Sequence, residues 1–252
     1  MAVFFVELVT RACMHCRPVL GFARGIQREF SAISFMSLFE GKDLLCIRGE
    51  RVVFEGLSFA LDQGEAILLT GANGSGKSSL LRLMAGLLRP VAGDLLWKGA
   101  PIDSDAHNQR LHYVGHMDAV KPALTVAENL QFWTALTGSA PQESISFALS
   151  ILGLSPLADI PARMLSAGQK RRLALARLIA IPAPLWLLDE PTIALDAQSA
   201  GVLREAILAH LKSGGLAAIA THSDLGVPGK RIELGGFGAG TLPESSAPES
   251  LG

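Results

Sequence analysis

Apolar residues along this chain fall into short runs separated by glycine-rich or polar breaks, a pattern typical of α/β domains. Residues 57–61 alternate apolar with small or polar side chains, and that alternation predicts a strand. Shorter apolar runs predict strands at 44–47, 65–70, 95–97, 111–116, 184–188 and 217–222. The 184–188 run has no polar alternation, so we expect a parallel strand that is buried on both faces.

Helical periodicity occupies the stretches between these strands. Leucines recur at three and four residues over 79–88, which predicts a helix. Thr125 and Glu128 have the spacing of a capping box, and amphipathic patterns follow up to residue 157. A further helix, rich in Leu, Ala and Arg, is predicted over 170–181. We therefore expect an α/β core with a small helical subdomain inserted at about 117–165.

The two ends of the chain differ in composition from this core. Residues 1–35 carry four arginines and two glutamates without any periodic pattern, so we expect an extension outside the domain. Met36 is then a possible start of translation, although a short targeting or anchoring arm is an alternative. The domain is expected over 36–235. The Gly-, Pro-, Ser- and Glu-rich segment 236–252 is expected to be a flexible tail.

Composition excludes several classes of function. Hydrophobic residues make up 49% of the chain, but Arg177, Pro182 and Pro184 interrupt its longest apolar candidate, so we expect no membrane span. A net charge of −1 argues against nucleic-acid binding through phosphate neutralisation. Cys13 and Cys16 form a lone C-x-x-C pair, which supplies only half of a zinc site.

The strongest chemical signal is the stretch 71–78, which fits the phosphate-loop pattern G-x-x-x-x-G-K-[ST] between a predicted strand and a predicted helix. Glycines allow the backbone N–H groups to curl around an anion, and the following helix directs its N-terminus at the same anion. Lys77 is expected to reach the β- and γ-phosphates, and the Ser78 hydroxyl to hold Mg²⁺. A glycine-rich turn that carries a lysine by chance is disfavoured by these flanks. The predicted ATP-binding residues are Gly71, Ala72, Asn73, Gly74, Ser75, Gly76, Lys77, Ser78, Ser79 and Asp189.

Two carboxylates, Asp189 and Glu190, follow the apolar run that ends at Leu188. Ligands of open α/β sheets bind at the carboxyl ends of the strands, so both side chains are expected at the nucleotide. Asp189 suits the Mg²⁺ shell together with Ser78, and Glu190 suits a general base for the attacking water. His222, at the end of another predicted strand, could contact the γ-phosphate and support Glu190.

A second candidate anion site lies where the 170–181 helix begins. Ser166 and Gly168 offer a hydroxyl and unobstructed N–H groups at the positive end of the helix dipole. By itself, Ser166 is more simply interpreted as an ordinary helix N-cap.

Together, these motifs resemble the ATP-binding subunit of ABC transporters from about Leu44 to Leu234. The phosphate loop, the run 185–190, Ala194-Leu-Asp196 and His222 occur in that family's order. Leu165, Ser166, Ala167, Gly168 and Gln169 match its signature. The resemblance implies a P-loop core with an N-terminal antiparallel β subdomain and a homodimer in which each signature faces the partner's ATP. It also implies integral membrane subunits that the helical subdomain contacts.

Two positions depart from the common pattern of that family. Arg48 stands where many relatives carry an aromatic residue against adenine, so a cation–π contact or a loose hold is expected. His116 stands where a glutamine is usual, so coupling to the membrane partner is expected to run through an imidazole.

With Ala167 and the short length, the chain is most similar to the haem-exporter ATP-binding subfamily of cytochrome c biogenesis. That resemblance implies ATP hydrolysis on the cytoplasmic face of the bacterial inner membrane, with haem involved only indirectly. An ABC ATPase for another cargo and a soluble, non-transport ABC ATPase are the alternatives.

Overall fold

The structure is a computed structural model that describes residues 37–137 and 141–235. The predicted extension 1–35, the possible start at Met36 and the predicted tail 236–252 lie outside the described residues. Within the described part, the chain forms one antiparallel sheet and one parallel sheet, with helices packed around them.

The first sheet has four antiparallel strands in the order β2-β1-β4-β5. Their bounds are β1 (Phe39–Arg48), β2 (Arg51–Leu61), β4 (Ala92–Trp97) and β5 (Ala100–Pro101). Strand β1 extends beyond the predicted run 44–47 at both ends, and β2 begins six residues before the predicted run 57–61, because the two strands stay paired from Phe39–Leu61 to Arg48–Arg51. The antiparallel β subdomain implied by the family resemblance is thereby confirmed.

The second sheet has five parallel strands in the order β6-β7-β8-β3-β9. Their bounds are β3 (Ala66–Thr70), β6 (Leu111–Val114), β7 (Leu185–Asp189), β8 (Leu216–Ala220) and β9 (Lys230–Glu233). Strands β6 and β8 are shorter than predicted, so His116 and His222 lie in the loops that follow them. Strand β9 was not predicted, since none of its residues is fully buried.

Six α-helices are present in the described residues: α1 (Lys77–Met84), α2 (Ser104–Asn108), α3 (Val126–Thr137), α4 (Gln142–Ile151), α5 (Ala167–Ala180) and α6 (Ala197–Lys212). Two 3₁₀ turns, Ser155–Leu157 and Ala162–Met164, lie between α4 and α5. Over 37–137 and 141–235, no helix combines the length and the apolar character that crossing a bilayer requires.

Helix α1 ends earlier than the leucine periodicity predicted. Gly86 has φ +70, a left-handed conformation that terminates helices. The N–H groups of Leu87 and Leu88 both donate to the Arg82 carbonyl, which closes the helix end. The prediction of a helix to Leu88 is therefore wrong, and Leu87 remains 58% exposed. Likewise, α4 ends at Ile151 rather than continuing to residue 157, because Gly153 adopts φ +64.

Apolar side chains on the two faces of the parallel sheet belong to two different cores. In β7, Trp186 and Leu188 pack with the helical side, whereas Leu185 and Leu187 pack with α1 and the antiparallel sheet. Every residue of β7 and β8 is buried, as expected for central strands of a parallel sheet. The sheet is thus held rigidly on both sides, and its carboxyl edge carries the polar loops.

The helical subdomain is attached to the sheet through an interior arginine. The Arg177 guanidinium lies 4.9 Å from the centre of the Trp133 ring on α3 and donates to the Tyr113 carbonyl of β6. Burial lowers the pKa of Arg177 to about 10, which is still far enough above neutral pH for the guanidinium to stay charged. Thr125 and Glu128 exchange hydrogen bonds of 2.8 and 3.2 Å, which confirms the capping box at the start of α3.

Candidate nucleotide-binding site

The loop 71–76 joins β3 to α1 at the carboxyl edge of the parallel sheet. Its backbone requires glycine at two places. A Cβ at Gly71 would lie 2.2 Å from the Leu234 carbonyl oxygen, and one at Gly76 would lie 2.4 Å from a Val53 methyl carbon. Both glycines, and Gly74 between them, have positive φ. The sequence therefore folds locally into a tight loop of the kind whose backbone N–H groups bind anions.

Lys77, the first residue of α1, is only 7% exposed. Its ammonium group donates to the carbonyl oxygens of Gly71, at 2.8 Å, and Ala72, at 3.1 Å. It also lies 3.2 Å from His222 Nε2. The positive charge is therefore held inside the curve of the loop, where a phosphate bound by the loop would meet it.

The carboxylates of Asp189 and Glu190 lie at the end of β7 and are almost completely buried, with 1% and 7% exposure. Within the described residues, Asp189 Oδ2 and Glu190 Oε1 accept no hydrogen bond. Burial of a carboxylate oxygen without a donor is costly, so these atoms call for a cation or a polar ligand. Ser78 lines the same cavity as Asp189. A hydroxyl and a carboxylate oxygen are ligands that Mg²⁺ accepts, and the residues fit this ion.

Glu190 has φ 47, a left-handed conformation that is uncommon for a residue with a side chain. Its N–H donates to the Ala220 carbonyl at 2.8 Å, and its own carbonyl accepts from Arg171 at 2.8 Å. These two bonds hold the backbone in a conformation that it would otherwise avoid. Strain of this kind is concentrated at functional sites, where it fixes the direction of a side chain.

One imidazole lies beside each carboxylate. His222 Nε2 is 3.4 Å from Glu190 Oε1, and the backbone N–H of His222 donates to Glu190 Oε2 at 3.4 Å. His116 Nε2 is 3.6 Å from Asp189 Oδ2. Both imidazoles are about half exposed, so they can contact a ligand as well as the carboxylates.

These groups surround a single cavity of about 870 Å³, a size within the usual range for small-molecule sites. The predicted residues that line it are Asn73, Gly74, Gly76, Lys77, Ser78, Ser79, His116, Asp189, Glu190 and His222. Gly71, Ala72 and Ser75 belong to the same loop but do not line the cavity. Arg48, the predicted adenine contact, does line it, beside Arg51 and Val53.

The signature residues are placed elsewhere. Among the described residues that line the cavity, none belongs to the stretch 165–169. Leu165 is buried in the core on the helical side of the sheet, whereas Ser166 and Ala167 are exposed. A Cβ at Gly168 would lie 2.8 Å from the Ala194 carbonyl, so this glycine packs closely against the loop after β7.

Ser166 caps α5 and forms a closed capping box. Its hydroxyl accepts from the Gln169 N–H at 3.2 Å, and the Gln169 side chain accepts from the Ser166 N–H at 2.8 Å. The simple N-cap interpretation is therefore correct for its local role. The hydroxyl proton remains available to a further acceptor.

Sequence reasoning missed several residues near the cavity. Arg51, Thr192, Ile193 and Ser223 line it, yet each sits in a loop or at a strand end that has no recognisable motif. The largest omission is Arg171, whose guanidinium is buried against both carboxylate-bearing residues. The available signal was the helical spacing, because Arg171 lies three and four residues before Ala174 and Leu175, on the same face of the helix.

This chain is similar to several known proteins. The protein-family model described as ABC transporter matches residues 54–193. The chain is 58% identical over 198 residues to a cytochrome c biogenesis ATP-binding export protein CcmA of Rhodospirillum rubrum, covering 78% of this chain and 84% of that protein. It is 54% identical to a protein of the same name from Paramagnetospirillum magneticum, covering 77% and 91%.

A solved structure entitled "Dimeric Structure of MJ0796, a Bacterial ABC Transporter Cassette" superposes with a TM-score of 0.69. It is 23% identical and covers 78% of this chain and 94% of that one, so it shows the same fold.

Proposed function

Because the chain belongs to the ABC transporter family, and within it to the cytochrome c biogenesis ATP-binding export proteins, we propose that it hydrolyses ATP for an export complex serving cytochrome c maturation. The observation that carries this proposal is the convergence of Lys77, Asp189, Glu190 and His222 on one cavity. A cation, a metal-binding carboxylate and a general base are parts that hydrolysis of a triphosphate uses, and an imidazole can stabilise the charge that develops on phosphate.

Binding is assigned to the phosphate loop and its lysine. The loop N–H groups and the N-terminus of α1 present partial positive charge, and Lys77 adds a full charge. Ser78 and Asp189 would hold Mg²⁺, which would neutralise phosphate charge when bound. Arg48 and Arg51 line the cavity on the β1–β2 side and are the candidates for stacking against the adenine base.

Hydrolysis is assigned to Glu190 and His222. Glu190 Oε1 is buried and accepts no hydrogen bond within the described residues, so it is free to accept a proton from an attacking water. His222 lies between Glu190 and Lys77, with Nε2 3.4 Å and 3.2 Å from them. From this position it can donate to phosphate oxygen as charge develops there.

A homodimer completes the site in this proposal. The exposed Ser166 and the N-terminus of α5 do not line the cavity of their own chain, although they form an anion-binding helix start. Two copies related by a two-fold axis would place each signature against the partner's ATP and create two equivalent sites.

The remaining partners are proposed to be integral membrane subunits, with the chain held peripherally on the cytoplasmic face of the bacterial inner membrane. The helical subdomain is the proposed contact surface, and Met117, next to His116, is 88% exposed there. Haem is handled by the complex and contacts this chain only indirectly.

The experiment is a replacement of Lys77 by Ala in the chromosome of the host bacterium. We expect the ATPase of the purified protein and the covalent c-type cytochromes of the membranes to be lost together. The b-type cytochromes, which need no covalent haem attachment, are the control and should be unchanged. Loss of ATPase with normal c-type cytochromes would favour the alternative, an ABC ATPase that serves another cargo.

A further inference from the structure

Arg171 lies in α5, two residues beyond the signature, and is only 4% exposed. Burial of a guanidinium is costly unless its donors are satisfied and its charge is compensated. Every hydrogen bond that the structure gives this side chain goes to one of two loops at the nucleotide site. Neither loop is adjacent to Arg171 in sequence.

The first of these loops is the turn at the end of β7. Arg171 Nη2 donates to the carbonyl oxygens of Asp189, at 3.1 Å, and Glu190, at 2.8 Å. Its Nε donates to the Pro191 carbonyl at 3.3 Å. Three successive carbonyls therefore converge on one planar group, in the turn where Glu190 has φ 47. The guanidinium fixes the backbone from which both carboxylates project.

The second loop carries His116. Arg171 Nη1 donates to the Gly115 carbonyl at 2.8 Å and to Asp118 Oδ1 at 3.0 Å. These two residues flank His116, whose Nε2 lies 3.6 Å from Asp189 Oδ2. A single side chain thus holds the imidazole and the carboxylate that it faces at a set separation.

We propose that Arg171 is a positioning residue that holds the His116 loop and the Asp189–Glu190 turn in fixed positions relative to helix α5. This inference rests on the proposed ATPase function of the same site. Because Ser166 caps the N-terminus of α5, a shift of this helix on contact with the partner's nucleotide would reach Glu190 through the guanidinium. Arg171 does not itself line the cavity, and its hydrogen bonds to Asp189 and Glu190 go to their backbone carbonyls, so its action is on the orientation of Glu190 rather than on the bound phosphate.

Arg172 provides a matched control. It is the next residue of the same helix, and its Nη1 donates to the Leu152 carbonyl at 3.0 Å in the helical subdomain. None of the hydrogen bonds that the structure gives the Arg172 side chain goes to either loop of the site. Comparing the two arginines therefore separates loss of the two-loop contact from loss of a guanidinium on α5.

The test measures kcat for ATP, Kd for ATP and the melting temperature in Arg171→Lys, Arg171→Gln, Arg172→Lys and Arg172→Gln. A lysine supplies a point charge but not the planar fork, so it cannot satisfy both loops together. We expect both Arg171 variants to lose about tenfold or more in kcat, with Kd within about threefold of wild type. The Arg172 variants should keep kcat within about twofold.

The inference is overturned if both Arg171 variants keep wild-type kcat. It is also overturned if kcat, ATP affinity and melting temperature decline together, because that result describes a purely structural residue. Should neither variant fold, Asp118→Ala decides, since its partly exposed carboxylate is not part of the core. It is expected to lower kcat about threefold or more at unchanged Kd, and an unchanged kcat would refute the inference. A wild-type protein without ATPase activity would instead refute the proposed function, and this inference with it.

Discussion

At the scale of single residues, the site is built from charged groups whose backbone is held more firmly than their side-chain oxygens. The backbone of Glu190 donates a hydrogen bond to Ala220 and accepts one from Arg171, whereas its Oε1 accepts none within the described residues. Asp189 shows the same contrast, because its carbonyl accepts from Arg171, whereas its Oδ2 accepts no hydrogen bond from the part of the chain that the structure describes. The protein thus fixes the backbone of both residues, and both residues line the cavity.

Glu190→Gln separates binding from hydrolysis. The amide keeps the volume of the side chain but cannot accept a proton, so we expect a fall in ATP turnover on the order of 10²–10⁴. ATP affinity should stay close to wild type, because binding is assigned to the phosphate loop and Mg²⁺. Steady-state ATPase assays and nucleotide titrations check this. Glu205→Gln, on the exposed face of α6, is the control, and unaltered hydrolysis in Glu190→Gln would remove the base assignment.

At the scale of elements, helix α5 has two roles that depend on its first turn. The capping box of Ser166 and Gln169 stabilises the helix start, and the same turn is the proposed contact for the partner's ATP. Since Ser, Asn and Asp are similarly good N-caps, the two roles can be separated by substitution. Gly168→Asp is less suitable, because its Cβ would meet the Ala194 carbonyl within the same chain.

Ser166→Asp and Ser166→Asn form such a matched pair. Both should preserve the cap, so the free energy of unfolding should change by less than about 0.5 kcal/mol in each. Only the aspartate places negative charge against a triphosphate, and we expect its ATPase turnover to be about tenfold or more below that of the asparagine variant. Equal turnover in the two variants would show that this helix start does not face nucleotide.

At the scale of the whole molecule, the parallel sheet lies between two apolar cores, and two histidines are buried at its helical side, His112 on β6 and His210 on α6. His210 stacks on Trp186 with ring centres 4.0 Å apart and lies 3.1 Å, through Nε2, from the Leu216 carbonyl. Burial lowers the pKa of His210 to about 4 and that of His112 to about 4. Both rings are therefore neutral in the folded protein at pH values where an unfolded chain would bind protons.

This difference predicts acid sensitivity. Above pH 6.5 both states are neutral at these residues, and the full free energy of unfolding is present. As the pH falls from about 6.5 to 4, only the unfolded chain takes up protons, which lowers the free energy of unfolding by on the order of 2–3 kcal/mol for each histidine. Denaturant titrations at several pH values across this range give the free energy of unfolding as a function of pH. This free energy should fall less steeply with decreasing pH in His210→Phe, which keeps a ring against Trp186. An unchanged slope would contradict the prediction.

The dimer gives a second prediction at this scale. A heterodimer of Lys77→Ala and Ser166→Asp chains carries both lesions in one composite site and none in the other. Mixing the two impaired proteins should therefore raise the ATPase activity above that of either protein alone, up to about a quarter of the wild-type value for random pairing. Each variant alone is the control, and a mixture no more active than either variant would argue against composite sites or against turnover by a single site.

The sequence by itself determined those features that depend on near neighbours. The strand, glycine loop and helix from Ala66 to Met84 follow from local periodicity and from glycines that the backbone requires. The Thr125 and Ser166 caps are bonds across three residues, so their spacing alone predicts them. The carboxylates at the end of β7 were predictable because an apolar run of that length is typical of a buried parallel strand.

Only the tertiary structure decided which distant groups meet. The pairing of His116 with Asp189, the lining of the cavity by Arg51 and the five hydrogen bonds of Arg171 join segments that are far apart in sequence. No local pattern encodes such contacts, because they arise when β6 and β7 pair and α5 packs across their ends. The same holds for β9, whose exposed residues become a strand only because β3 offers an edge for hydrogen bonding.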